Sequence, residues 1–470
     1  MTINFMFPFN VIVEEIKFFA TKYGYQLYIV GGFCRDYIMG VVSKDIDFVI
    51  DKDGDDNPAK SFAELLEKEG YATNVAVYEK FGTSKVDMHG EKIEFTMPRS
   101  EQYTEGSRKP QTQKIDIQGD ALRRDFTVNT IMINPFTEEI VDPTGFGLED
   151  IKNKVIRSAN PNINQMFHDD ALRLMRACRF SATKGFTIDK ALEDAVILNA
   201  ERIKTISQER IREELDKILM ADKGDIWFND AFVWLVKYIL PDIYKLQDTQ
   251  ESPPYHWDES TYAHTIRTVY NCPKVLHIRR AALFHDVAKP YTYSFDEEKQ
   301  KSHFYGHDLK GADMVEDIMR ELTYSNDDIK VVKTLVKNHM RPHLYKVEGQ
   351  HKWTDKAIRK FIAETGEYRD DILTLAIADS KGSSDEEREH KNLKTINDMA
   401  MHISEIKDTV HTKPILTGDD IKELFGKPSG KWIKVVIEYQ MSVLHKNPNI
   451  SIEDMKERLI HVYRDCKKWF

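Results

Sequence analysis

Cysteine is scarce: Cys34, Cys178, Cys272 and Cys466 are the four in 470 residues, and none forms a C-x-x-C pair. That excludes a disulfide scaffold and a cysteine-based zinc finger, and it suits a reducing compartment. Long apolar runs are missing too; nothing approaches the roughly 18 residues of a membrane span. The opening MTINFMFPFN has neither a basic start nor a small-residue cleavage site, so no signal peptide is expected and the expected location is cytoplasmic. There is no excess of positive charge: 67 Lys and Arg face 77 Asp and Glu, a net of −10. A nucleic-acid partner would therefore need a local patch. What remains is an ordinary soluble composition, 41% hydrophobic and 31% charged, long enough for about three domains.

From about residue 10 to 135 the texture is mixed. A helical pattern at Val11–Lys22 leads to the apolar run Leu27–Val30 and a Gly-Gly turn. Strands are expected at Ile46–Ile50, Asn74–Tyr78, Lys92–Met97 and Val128–Ile133, with mobile loops at Tyr78–Ser84 and Arg99–Ile117. Beyond residue 148 apolar residues recur at three- and four-residue spacing, so the rest is expected to be helical. Breaks are expected at Gln250–Pro254 and Lys381–Glu389.

The stretch Leu27–Ile50 reads LYIVGGFCRDYIMGVVSKDIDFVI. Gly31 and Gly32 after a buried strand let the backbone approach a ligand, and the following helix offers N–H groups to phosphate, with Arg35 on its first turn. Asp45 and Asp47, one residue apart in a strand, should present both carboxylates on one face. Paired carboxylates beside a phosphate cradle suit Mg²⁺ and phosphoryl transfer.

This run resembles the signature of polymerase-β-type nucleotidyltransferases, most closely the class II tRNA nucleotidyltransferases (CCA-adding enzymes) and the related bacterial poly(A) polymerases. The resemblance continues in order. Leu122–Asn129 (LRRDFTVN) is similar to the family's R-R-D-F-T-hydrophobic-N motif, and Asp142–Asp150 to its D-P-x-G-G-x-x-D stretch. Asp169–Phe180 is similar to its E-D-x-x-R-x-x-R-x-x-R-F helix, and Ile206–Ile211 to its I-S-x-E-R-I start. Two positions depart: Asp169 replaces a glutamate, and Phe146 replaces the second glycine.

The resemblance implies an α+β chain. A small polymerase-β-like nucleotidyltransferase α/β head (1–147) would precede an all-helical neck and body (148–250), an HD domain (251–385) and a tail (386–470). It implies Asp45, Asp47 and Glu94 as catalytic carboxylates holding Mg²⁺. Gly31, Gly32, Arg35 and Arg124 would hold the triphosphate, Asp170 and Arg173 would select CTP or ATP, and Arg176 and Arg179 would contact the nucleotide. The loop at 78–84 would help the switch between nucleotides. The partners implied are tRNA, CTP and ATP, with no membrane; the oligomeric state is left open.

A second constellation occupies residues 255–380. His264, the pair His285-Asp286 and Asp379 follow the H…H-D…D order of the HD metal-dependent phosphohydrolases, and His307 and His339 stand where two-metal members carry extra ligands. Imidazole and carboxylate suit a divalent metal, of unstated identity, that activates water. A His-Asp pair buried in an apolar helix would be costly without a partner.

Residues 427–470 hold nine Lys or Arg against five Asp or Glu, with Trp432, Tyr439, Tyr463, Trp469 and Phe470 interleaved, a pattern compatible with an RNA track. The expected activity is CCA addition to tRNA, with HD-domain phosphodiesterase or phosphatase action beside it. Poly(A) polymerases usually carry a paired basic element after the D-x-D strand, where this chain has only Glu79-Lys80-Phe81-Gly82. Poly(A) addition, CC-only or A-only addition, and an HD phosphohydrolase as the main activity are the alternatives.

Overall fold

Seven strands form the centre of the head. The computed structural model describes residues 9–43, 45–102, 111–249, 260–298, 300–345, 353–383, 385–406, 414–444, 447 and 450–465. The first elements are α1 (Phe9–Tyr23), β1 (Gln26–Val30), α2 (Gly32–Ile38), β2 (Asp47–Asp51), α3 (Pro58–Lys68), β3 (Thr73–Tyr78), β4 (Thr83–Met88) and β5 (Glu91–Thr96). The hairpin β6 (Arg99–Gln102) and β7 (Gln111–Lys114), helix α4 (Ile117–Leu122), and strands β8 (Met132–Ile133) and β9 (Ile140–Val141) follow.

The sheet order is β3-β4-β5-β2-β1-β8-β9, with β2 and β5 parallel and the other pairs antiparallel. Phe48 of β2 and Phe62 of α3 both meet Phe95 of β5, at ring-centroid distances of 5.7 and 5.2 Å. These buried rings lock β2 beside β5 and so fix the register that sets Asp47 opposite Glu94. Asn57 caps α3 by accepting from Lys60 N, and Pro58 takes the first turn, where its missing N–H costs nothing.

Several expectations are corrected here. Val128–Ile133 is not one strand: a 3-10 turn at Thr127–Asn129 precedes the two-residue β8. Side chains hold that turn, Asp125 accepting from Phe126 N at 2.8 Å and Thr127 donating to Asp150 at 2.6 Å. The expected loop at 78–84 is a 3-10 turn (Glu79–Phe81) running into β4, whose Val86 and Met88 alternate inward. The expected loop at 99–117 pairs as the β6–β7 hairpin, with 103–110 outside the described residues.

The same compact unit, Met1–Ile239, continues through α5 (Gly147–Asn153), β10 (Val155–Ile156), α6 (Ile163–Asp169), α7 (Leu172–Lys184), β11 (Thr187–Ile188), α8 (Lys190–Asn199), α9 (Gln208–Leu219) and α10 (Asp230–Ile239). Strands β10 and β11 pair in parallel, so this part is not all-helical.

The second unit, Leu240–Phe470, begins with α11 (Pro241–Tyr244), α12 (Thr261–Asn271), α13 (Leu276–Phe284) and α14 (Lys289–Thr292). The hairpin β12 (Ser294–Asp296) and β13 (Lys301–His303) again interrupts the expected helices. Then come α15 (His307–Glu321), α16 (Asn326–Asn338), α17 (Asp355–Thr365), α18 (Arg369–Lys381) and α19 (Glu386–Ile406). The break expected at 250–254 lies outside the described residues.

The tail is α20 (Gly418–Phe425), α21 (Trp432–Leu444) and α22 (Ile452–Asp465), around a core of Leu416, Ile421, Val436, Val443, Leu444, Met455 and Leu459. Trp432 and Tyr439 pack against that core rather than standing out as a stacking surface. Trp469 and Phe470, and the Tyr463 side chain, are outside the described residues. Among the described residues no helix is long and apolar enough to cross a membrane.

Candidate functional sites

At the end of β1, Gly31 has φ +76°, and a Cβ there would stand 3.5 Å from Asp47 Oδ2 and 3.9 Å from an Arg124 guanidinium nitrogen. The bare backbone thus closes on a carboxylate and a cation together, from positions 16 and 93 residues along the chain. Asp47 is the first residue of β2 and pairs in register with Glu94 of β5. Burial above all, with repulsion from Glu94 and Asp45, raises the Asp47 carboxyl to about 6 against the opposing charge of Arg124. Glu94 is held by Lys85 at 2.8 Å.

Asp45 corrects the expectation of a shared strand. It lies exposed on the approach to β2, where Ser43 donates to its carbonyl, although its charge is felt by Asp47. The structure therefore gathers Gly31, Asp45, Asp47, Glu94 and Arg124 at one end of the sheet. Their carboxylates are not drawn tight: among the described residues, the acidic and histidine groups whose ligand atoms lie mutually within 4.8 Å are both in the second unit.

Arg35 also departs from its expected place. It is the fourth residue of α2 and is buried, donating to Asn129 Oδ1 at 2.7 Å and pairing with Asp36 at 2.8 Å. Asn129 in turn donates to Asp125 Oδ1 at 2.9 Å, and Asp125 Oδ2 accepts two bonds from Arg176, at 2.8 and 2.5 Å. Burial alone would raise Asp125, but the Arg176 charge and the bonds from Asn129 and Arg176 carry it down to about 2. A continuous polar chain, Arg35–Asn129–Asp125–Arg176, therefore joins α2 to α7.

Arg173 donates to the Arg123 carbonyl at 3.0 Å, and Arg179 pairs with Glu214 of α9 at 2.5 Å. The Arg35, Arg176 and Arg179 guanidinium carbons surround the Phe180 ring at 5.1, 5.4 and 4.0 Å. Asp170 lies just before α7 rather than on it, accepting from Leu172 N and pairing with Arg210 at 3.2 Å. Asp125 and Asn129 carry no signal of this role beyond their four-residue spacing within LRRDFTVN.

In the second unit the expected ligands converge. His264 lies on α12, while His285-Asp286 follows the end of α13 instead of sitting inside a helix. The Nδ1 atoms of His285, His307 and His339 each meet a carbonyl three residues earlier (Ala282, Phe304, Val336) at 2.7 Å. This fixes a proton on each Nδ1 and turns each Nε2 toward another partner. Those Nε2 atoms crowd together: His285 lies 3.4 Å from His264, and His307 lies 3.2 Å from His339.

Asp286 spans two triads. Its Oδ2 faces His285 at 3.1 Å and its Oδ1 faces His307 at 3.5 Å. His264, His285 and Asp286 form one ligand set, and Asp286, His307 and His339 the other. Asp379 reaches His264 at 2.9 Å and His343 at 2.9 Å. Burial disfavours a charged His285, but Asp286 and Asp379 reverse this and raise it to about 10. His339, facing other imidazoles, is driven by burial down to about 3. The centre calls for a cation between its carboxylates, and the donor set fits divalent metal. His343 was not foreseen; it lies in the irregular turn after α16, where helical spacing gives no signal.

Residues 27–157 match the poly(A) polymerase head domain, residues 185–246 the probable RNA- and SrmB-binding site of polymerase A, and residues 261–380 the HD domain. The CCA-adding enzyme of Geobacillus sp. is 26% identical over 448 residues, 94% of each chain. The chain thus carries, in order, a poly(A) polymerase-type head, its RNA-binding segment and an HD domain, and is similar end to end to a CCA-adding enzyme. The nucleotidyltransferase head and the HD domain that it matches are both of metal-dependent classes. The A-adding tRNA nucleotidyltransferase of Deinococcus radiodurans is 29% identical over 336 residues, covering 68% of this chain and 74% of its own. In fold, the Bacillus stearothermophilus CCA-adding enzyme in complex with CTP superposes with a TM-score of 0.66 at 19% identity, covering 99% of this chain and all of that one.

Proposed function

We propose that this chain adds C, C and A to the 3′ end of tRNA from CTP and ATP, releasing pyrophosphate. The observation that carries the reading is the β2–β5 register, which sets Asp47 against Glu94 with Gly31 and Arg124 alongside. Asp45, Asp47 and Glu94 would hold Mg²⁺. When bound, that ion supplies charge neutralisation at the triphosphate and acidifies the attacking 3′-hydroxyl. The 3′-oxygen bonds to the α-phosphorus as the bond to pyrophosphate breaks.

The bare Gly31 backbone admits the phosphates, and Arg124 adds positive charge beside them. Asp170 and Arg173 offer an acceptor and a fork of donors to a base edge, and Arg176 and Arg179 brace the nucleotide from α7. Gly32 and Arg35 complete the wall of the cradle, Arg35 acting through Asn129 and Asp125. The end-to-end match to a CCA-adding relative favours full CCA addition over A-only addition. The division into head (1–147), neck and body (148–250), HD domain (251–385) and tail (386–470) and a cytoplasmic location belong to the same reading. Purified protein given tRNA ending before CCA, with CTP, ATP or both, should extend it by three residues only when both are present. Long A tails, or no need for CTP, would defeat the reading.

A second activity is favoured by the three Nδ1-anchored imidazoles. His264, His285, His307, His339, Asp286 and Asp379 would hold divalent metal for phosphoester hydrolysis. Metal analysis of the native protein against His285→Ala tests it, with loss of metal in the variant expected.

A further inference from the structure

The cavity above the histidine cluster has a volume of about 360 Å³, within the range of small-ligand sites of about 300–1,000 Å³. Metal-type ligands, among them His264, Asp286 and Asp379, line one part of it. Strand β13 and the turn after it supply another, through His303, Phe304 and Tyr305. The rings of His303 and Tyr305 lie nearly parallel, 12° apart with centroids at 5.0 Å. Phe304, between them, turns instead toward Tyr293, at 5.8 Å.

Tyr305 is 79% exposed. A large ring held in water gains little from its own fold, whereas an aromatic face at the mouth of a polar cavity offers a base a surface to stack on. Arg388 and Asn392 lie on the same cavity and suit phosphate and ribose, while Lys289, also on it, is paired with Asp286 at 2.8 Å. Nothing in the transferase reaction uses this pair of rings.

We propose that His303 and Tyr305 are a base-stacking platform that fits the second site to a nucleotide phosphomonoester, free or at the end of an RNA. This rests on the metal reading of the cluster and names the residues that would select a substrate carrying a base. In the reaction, a water oxygen bonds to phosphorus and the ester P–O bond breaks. The nucleoside oxygen leaves with a proton from the water, and inorganic phosphate is released, so no oxidant or co-reactant is required.

The test uses the full-length, metal-loaded protein with Tyr305→Ala and Tyr305→Phe. Substrates are 3′-AMP, 3′-CMP, an RNA oligomer with a 3′-phosphate, and glycerol 2-phosphate, which has no base. Tyr305→Ala should raise KM for the nucleotides about tenfold, leave glycerol 2-phosphate unchanged, and be rescued by Tyr305→Phe. The mononucleotide and oligomer arms show which source is preferred. Equal losses on all substrates, or none, would overturn the platform. A second readout is adenosine binding followed by NMR saturation transfer, which should weaken in Tyr305→Ala; unchanged binding would overturn it as well. Absence of metal and of all hydrolysis in the native protein would instead sink the metal reading, with adenosine binding still deciding the platform.

Discussion

In the head, Glu94 is 34% exposed and Asp45 stands in solvent, whereas in the second unit Asp286 and His285 are 2% and 1% exposed. The carboxylates of the head bring charge to an open sheet end and leave room for a triphosphate to contribute oxygens. The imidazoles of the second unit are pre-set by carbonyl bonds and meet with little solvent between them. By the proposed reading, the open arrangement suits a bulky anionic substrate and the buried ligand set suits a resident ion.

The sharpest way to break this contrast is to remove one ligand side chain from each site. Asp47→Ala should lower nucleotide incorporation by at least about 10³-fold while leaving the metal content of the second unit unchanged. Incorporation with labelled CTP and metal analysis read the two effects. The converse, His285→Ala, should abolish metal binding in the second unit yet spare incorporation. It removes the imidazole 3.1 Å from buried Asp286 but leaves Lys289 paired with it at 2.8 Å, so a stability loss of about 1–3 kcal/mol is expected by denaturant melting of metal-free protein.

Acid separates two aspartates of the head with opposite sign. Asp125, held at about 2 against an ordinary value near 4, contributes roughly 2 kcal/mol at neutral pH that is lost as pH falls from about 4 through 2. Asp47 stands at about 6, so in metal-free protein its ionisation costs stability, and the fold gains as pH drops from about 6 to 4. Denaturant melts across pH should show that gain in native protein, with Asp47→Asn removing it; Mg²⁺ binding should weaken over the same window.

Smaller effects follow. Arg176→Lys removes the two-pronged grip on Asp125 and should cost about 1.5–3 kcal/mol in melting experiments, with nucleotide KM rising. Phe146→Gly restores the residue usual in the family. Its ring is 52% exposed with Arg157 over it at 5.3 Å, so stability should change by no more than about 1 kcal/mol and incorporation stay level.

The elements most legible in the sequence were those whose signal is local. Leu27–Val30 and Lys92–Met97 read as strands because apolar β-formers run between turn residues, and His285-Asp286 stood out as polar residues after an apolar run. Less legible were features decided across the chain. The Val128–Ile133 run is apolar enough for a strand, yet Asp125 and Asp150 draw its start into a turn. Arg35 is legible as a cation beside the Gly-Gly turn, but its bond to Asn129, 94 residues on, is not. Asp45 and Asp47 obey alternation only if both are in the strand, and β2 begins two residues too late for that.

The most direct test of the central claim is a crystal grown with Mn²⁺ and a non-hydrolysable CTP analogue, using anomalous scattering to locate the ion. The account predicts a manganese peak held by Asp47 with Asp45 or Glu94 and the analogue's phosphates, beside the Gly31 backbone. A nucleotide bound elsewhere, or Asp45 and Asp47 turned from it with no peak between them, would contradict it.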